Sequence, residues 1–207
     1  STSMDTKGGH NPRRNRPIIL NASETVLLER PRDKEDVEIK VENGIIRISA
    51  YQEGKIIDLT LACACKSEPW RFNYPEELGI RIEAITETRC QASYGHDPEQ
   101  RSNDSIMEWV LQLHVVRLET NIESRLMKLF QLLTTRLGIR TTEGYLLEHT
   151  LSHGRIAEII GTTRSTVSRS ISSLRKSDKI YIDELKNQLI LPANQINDHT
   201  DMFHPSI

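Results

Sequence analysis

Residues 152–174 read Ser152-His153-Gly154-Arg155-Ile156-Ala157-Glu158-Ile159-Ile160-Gly161-Thr162-Thr163-Arg164-Ser165-Thr166-Val167-Ser168-Arg169-Ser170-Ile171-Ser172-Ser173-Leu174. The pattern predicts two short helices joined by a tight turn. Ser152 is placed to cap the first, whose apolar side is Ile156, Ala157, Ile159 and Ile160. Gly161 falls where the chain must turn sharply and where positive φ is free only for glycine. Thr162 and Thr163 are placed to cap the second helix. It buries Val167, Ile171 and Leu174 at i, i+4 and i+7. Arg164, Ser165, Ser168 and Arg169 are left on its other side. Arginines and small hydroxyls on the first turns of an exposed helix suit the major groove of DNA, where arginine bonds guanine bidentately and a hydroxyl reaches a phosphate or base edge. The competing reading is a helical hairpin that only packs. The scarcity of acids on the polar face argues against it, because ordinary surface helices mix both signs.

Charge is distributed to match. The chain of 207 residues has a net charge of −2, which by itself argues against a general polyanion binder. From Leu151 to Ile180, however, Arg155, Arg164, Arg169, Arg175, Lys176 and Lys179 face only Glu158 and Asp178. A basic patch on a near-neutral protein fits a dimeric, sequence-specific reader.

These residues carry a resemblance. Leu151-Ser152-His153 through Arg169, with Leu174-Arg175-Lys176 and Lys179-Ile180-Tyr181-Ile182, are similar to the DNA-binding domain of the Crp/Fnr regulators, most of all their cyanobacterial branch. Its motifs are a Leu-Ser/Thr opening, Ile-Ala-x-x-Ile-Gly, and Thr-Arg-x-Thr-Val-x-Arg. The match covers about the last 85 residues, and the first 100 fit only loosely. The resemblance implies an α+β chain with an N-terminal antiparallel β-roll (cupin-like), a central dimerisation helix and a C-terminal winged helix-turn-helix. In the family a glutamate usually follows the first arginine of the recognition helix. Ser165 stands there, so the half-site should differ from that of the cAMP-responsive members.

Outward from the motif, the expected divisions are a flexible arm (1–17), a sensor domain (18–103), a dimer helix (104–120), the winged domain (121–192) and a mobile tail (193–207). β-prone runs are Thr25–Leu28, Val37–Val41, Ile45–Tyr51, Lys55–Ala62 and Ile80–Ala92. Glu42-Asn43-Gly44 and Gln52-Glu53-Gly54 read as hairpin turns. Short strands at a spacing of about ten residues suggest a sandwich or barrel. Residues 93–103 read as a loop. Met107, Leu111, Val115 and Leu118 repeat like a coiled-coil seam. The resemblance makes this the dimer helix, and the alternative is a helix packed on its own β-domain. Thr120-Asn121-Ile122-Glu123 reads as a capping box. The helix that follows buries Leu126, Leu129, Phe130 and Leu133 and ends at Gly138. Tyr145–Thr150 reads as a strand, and Lys179–Asp183 with Gln188–Leu191 as the wing.

Arg164 and Arg169 are expected at base edges, Ser165 as a weaker base contact, and Thr162, Thr163 and Ser168 at phosphates or in capping. Cys63, Cys65 and Cys90 have no disulfide spacing, which fits a reducing cytoplasm. No cysteine precedes Cys63, so the iron–sulfur cluster of the oxygen-sensing members is not expected. No ligand set for haem or other metals is visible. The stretch Lys66–Pro75 lacks the Gly-Glu and Arg-Ser-Ala elements that hold cyclic phosphate in relatives, so cAMP is not expected. The candidate effector is cyclic di-GMP. Arg30-Pro31-Arg32-Asp33 has an Arg-x-x-Asp form that resembles known sites, and Arg13, Arg14 and Arg16 add a second arginine cluster. A solvated turn and an arm that grazes DNA is the other reading of these residues. No apolar run approaches the roughly 20 residues of a membrane span, and the N-terminus lacks a signal-peptide layout. The expected partners are double-stranded DNA and a second copy of the chain. The alternative function is an effector receptor acting mainly on another transcription regulator. An enzyme is not expected, since no nucleophile–base pair or catalytic acid pair is apparent.

Overall fold

A computed structural model of the protein describes residues 14–33, 35–67, 69–95 and 105–196. The chain is α+β. Its N-terminal part holds two four-stranded antiparallel sheets. One contains β1 (Arg14–Leu20), β3 (Asp36–Asn43), β6 (Trp70–Phe72) and β8 (Thr88–Gly95), in the order β1-β8-β3-β6. The other contains β2 (Thr25–Leu28), β4 (Ile46–Tyr51), β5 (Asp58–Ala64) and β7 (Gly79–Ala84), in the order β2-β7-β4-β5. Alternation decides what is buried. In β3 the residues Val37, Ile39 and Val41 point into the core, and Lys40 points out.

Four readings of the β-domain are corrected. Arg14–Pro17, expected in the arm, pair with Gln91–Tyr94 as part of β1. Glu42-Asn43-Gly44 is no hairpin, because β3 and β4 lie in different sheets. The chain crosses there at a corner packed on Glu87 and Thr88. Gly44 takes φ +86°, and a Cβ would stand 2.3 Å from the Glu87 carbonyl oxygen. The run Ile80–Ala92 is two strands, parted at Ile85-Thr86-Glu87. Ser93–Gly95, expected in a loop, extend β8, because Ser93 and Tyr94 pair with both β1 and β3 and Gly95 pairs with β3. The Gln52-Glu53-Gly54 turn does join a paired hairpin, β4–β5. Residues 96–103 of the expected loop and residues 197–207 of the tail lie outside the described residues.

Helix α1 (Ser105–Arg117) follows. It is apolar on two sides. Ile106, Trp109, Leu113 and Val116 are buried, and the helix packs against β5 and β6. The expected seam is on the other side: Met107 is 53% exposed, Leu111 57%, Val115 41%, and Leu118, just past the helix, 70%. The alternative reading, a helix packed on its own β-domain, describes the buried face, and the seam residues stay exposed on the other. Helix α2 (Ile122–Leu137) is capped by Asn121, not Thr120, with its side chain accepting from the Ser124 N–H at 2.9 Å. It buries Leu126, Leu129, Phe130 and Leu133 as expected. Each such side chain stabilises the fold by about 1.5–3 kcal/mol. Strands β9 (Ile139–Arg140), β10 (Gly144–Leu147), β11 (Tyr181–Asp183) and β12 (Gln188–Pro192) form the third sheet, in the order β11-β12-β10-β9. Ala193–Gln195 form a short 3-10 turn. Among the described residues no helix is long and apolar enough to cross a membrane.

Candidate nucleic-acid interface

Helices α3 (His153–Ile160) and α4 (Arg164–Lys176) pack on each other and on α2. The Ser152 side chain caps α3 by accepting from the Arg155 N–H at 3.2 Å. Gly161 ends α3 in the left-handed region, φ 78° and ψ 52°, and its N–H donates to the Ala157 carbonyl. The Thr162 N–H donates to the same carbonyl. This doubly bonded turn sets the direction in which α4 leaves. Thr163 is the cap of α4, and its hydroxyl accepts from the Thr166 N–H at 3.2 Å.

The buried stripe of α4 is Val167, Ile171 and Leu174, as the spacing demands. Arg164, Ser165 and Arg169 are exposed. Arg164 has no side-chain partner among the described residues, and Arg169 touches only the Thr166 hydroxyl, at 3.3 Å. The first turn of α4 contains no acid, so the positive helix end and both guanidinium groups face solvent uncompensated, an arrangement that attracts anions. An open groove of about 680 Å³ continues along this face, lined by Ser168, Arg169, Ser172, Ser173, Lys176 and Ser177. Ser172 and Ser173 add to the contact residues expected from the sequence, and Lys176, named there only within the basic patch, joins them. Their signal was the same face, continued by one and two turns.

The structure divides the expected reading residues into two groups. Thr163 and Ser168 are tied internally. The Ser168 hydroxyl lies 2.7 Å from His153 Nδ1 and 3.1 Å from the Arg164 carbonyl oxygen, so it braces α4 against the start of α3. Thr162 is half-buried in the turn, whereas Arg164, Ser165 and Arg169 are exposed to a partner, Ser165 with its hydroxyl 3.2 Å from that of Thr163.

Helix α3 is held from behind. Arg117, at the end of α1, donates to the Glu158 and Ile159 carbonyls at 2.7 and 2.8 Å. Arg125 of α2 donates to the Ile160 carbonyl at 3.1 Å. Two cations thus sit at the negative end of α3.

Of the residues considered for an effector, Arg16, Arg30, Arg32 and Asp33 have described side chains. Arg13 and the side chain of Arg14 lie outside the described residues. Arg16 is exposed on β1. Arg32 and Asp33 are exposed, Asp33 at φ 38°. Arg30 is engaged within the protein: it donates to the Pro75 and Leu78 carbonyls at 2.6 and 3.0 Å and lies over the Tyr74 ring at 4.6 Å. In this arrangement it braces the loop after β6. Of the cysteines, Cys63 and Cys90 are buried. Burial pushes their thiols up to about 12 and about 11, so neither is a thiolate at neutral pH.

Comparison with known proteins agrees with this geometry. Residues 124–192 match the Crp-like helix-turn-helix domain. A probable transcriptional activator of Rhizobium leguminosarum bv. viciae is 28% identical over 123 residues, 59% of this chain and 49% of that protein. The global nitrogen regulator of Synechococcus elongatus is 38% identical over 70 residues, 34% of this chain and 32% of that protein. The chain thus spans half or less of the length of these curated relatives. Among solved structures, FixK2 from Bradyrhizobium japonicum matches with a TM-score of 0.63 at 13% identity, covering 94% of this chain and 100% of that one. The likeness to FixK2 is one of fold, and it extends the agreement from the reading helices to the β-domain. Residues 124–192 thus form a Crp-like helix-turn-helix domain, and the chain that carries it shares its fold with FixK2.

Proposed function

We propose that the protein is a homodimeric, sequence-specific DNA-binding transcription regulator. The observation that carries this reading is the pair Arg164 and Arg169, exposed on the first turns of a capped helix that lacks acids there. Both guanidinium groups are free to form bidentate bonds with guanine edges, and Ser165 is short enough to reach only a single acceptor. Lys176 and Ser172 extend the same face toward the phosphates. The second copy is supported by α1, whose Leu111 and Val115 stay exposed while the opposite face is buried in the chain's own core. Pairing two such faces buries apolar surface and places two recognition helices on one side of the duplex. Their targets are half-sites about 34 Å apart.

The test is selection of duplexes from a random pool, followed by titration of the selected duplex. The expected result is a site with two-fold symmetry bound by a dimer, and affinity that falls steeply with salt. No enriched sequence, or binding indifferent to Arg164→Ala and Arg169→Ala together, overturns the reading. Light scattering on Leu111→Glu checks the dimer. A charge buried without a partner splits the pair, and an intact dimer would remove α1 as its interface.

A further inference from the structure

Strand β4 has five buried residues in succession. Ile46, Ile48 and Ala50 alternate with Arg47 and Ser49. Alternation sends the first three into the β-domain and the other two to the opposite face of the sheet. Arg47 is nevertheless fully buried, because α3 covers that face. Its guanidinium is bonded on every side: Nε to Glu83 at 3.1 Å, Nη1 to the Thr60 hydroxyl at 3.0 Å, and Nη2 to both Asp58 oxygens at 3.0 and 3.1 Å.

Helix α3 supplies the cover. Glu158 accepts from the Thr60 N–H at 3.2 Å and from its hydroxyl at 2.6 Å, and lies 3.8 Å from Arg47 Nη1. β5 is an edge strand, so Glu158 occupies a backbone donor that an open edge would leave exposed. Arg155 stands 3.1 Å from Asp58, 3.7 Å from Glu83 and 3.3 Å from Glu158. Arg81 lies 3.8 Å from Asp58. The two sides are each neutral: Arg47 and Arg81 offset Asp58 and Glu83 on the sheet, and Arg155 offsets Glu158 on the helix. The contact therefore fixes geometry through directed bonds, without depending on attraction between opposite net charges.

We propose that Arg155 and Glu158 are positioning residues for DNA recognition, seating the reading helices on the β-domain through Arg47, Asp58 and Glu83. The inference rests on the DNA-reading function above. Recognition helix α4 follows α3 through the doubly bonded Gly161 turn, so whatever fixes α3 on the sheet also fixes α4. A dimer that reads two half-sites needs that placement, since a loose reader must be ordered again on each binding event. The seat leaves Arg164, Ser165 and Arg169 uncovered, so it is compatible with bound DNA. It also connects β4, β5 and β7 to the reader, and a rearrangement of those strands would be passed to α4.

The experiment uses the full chain and a duplex selected by the wild type. Amide hydrogen exchange is followed at Thr60, whose N–H is bonded to Glu158, together with duplex affinity. Arg155→Ala and Glu158→Ala break the seat from the helix side, Asp58→Asn breaks it from the sheet side, and Arg155→Lys is the conservative control. In folded variants the Thr60 amide should exchange faster and the duplex bind more weakly, each on the order of tenfold, with Arg155→Lys close to wild type. Unchanged Thr60 exchange denies the seat, and faster exchange at unchanged affinity denies its positioning role. A wild type that selects no duplex sinks the DNA reading itself, a failure separate from these two.

Discussion

The two helices of the reading motif carry arginines in opposite surroundings. On α3, Arg155 has three carboxylates within 3.7 Å, two of them on the sheet beneath. On α4, Arg164 has no side-chain partner among the described residues, and Arg169 has a single hydroxyl. The side chain is the same, and the neighbours decide its use. α3 contains Glu158 and faces a sheet that presents Asp58 and Glu83. α4 has no acid along its length and faces solvent. A guanidinium already held by carboxylates is part of the scaffold. One left beside a helix N-terminus without acids remains available to an outside anion.

The largest expected effect lies on the scaffold side. Arg47→Ala leaves Asp58 and Glu83 without their buried partner, and should cost about 3–5 kcal/mol of stability in a denaturant titration. The same cluster should set the acid limit. Burial acts to raise the Asp58 pKa, but hydrogen bonds from Arg47 and the charges of Arg47 and Arg155 outweigh it, and the carboxyl is held below the usual value of 3.8. Its folded pKa is depressed, so its contribution is fully present at neutral pH and is lost as pH falls below 3.8. Arg47→Ala should flatten that limb of the stability curve.

The next effect lies on the other side of the comparison. Arg164→Ala and Arg169→Ala should each weaken binding to the selected duplex by about 1–3 kcal/mol. Their unfolding free energies should change by no more than about 0.5 kcal/mol, as surface changes do. If Arg155→Ala leaves stability equally unmoved, the contrast between the two helices collapses. Smaller again is Thr163→Ala, which removes the cap of α4 and should cost about 1 kcal/mol. Smallest is Glu184→Ala in the wing. Its 2.9 Å bond to Arg175 is exposed, and its loss should change stability by about 0.5 kcal/mol or less.

The reading motif was legible because every decision in it is local. Ser152, Gly161 and Thr163 act on residues three or four positions away, and the stripe Val167-Ile171-Leu174 lies within one helix. The apolar repeat of α1 was legible for the same reason, although periodicity could not say which partner covers which face. The β-domain was read less well. β6 has three residues, too few for a period. The break between β7 and β8 falls on Ile85-Thr86-Glu87, which has no glycine, proline, asparagine or aspartate to mark it. The corner at Gly44 looks like a hairpin turn until the sheet partners of β3 and β4 are known. Arg47 was missed because its partners lie on β5, β7 and α3, at separations that no spacing rule links. One signal was present: a charge between Ile46 and Ile48, in a strand whose other face is apolar.

The most direct measurement is a binding isotherm for the selected duplex with three proteins: wild type, Arg164→Ala/Arg169→Ala and Arg155→Lys. The expected result is loss of about 2–6 kcal/mol for the double variant, from two such contacts, with its fold intact and Arg155→Lys close to wild type. Equal affinity for the wild type and the folded double variant would contradict the assignment of α4 as the DNA-reading helix.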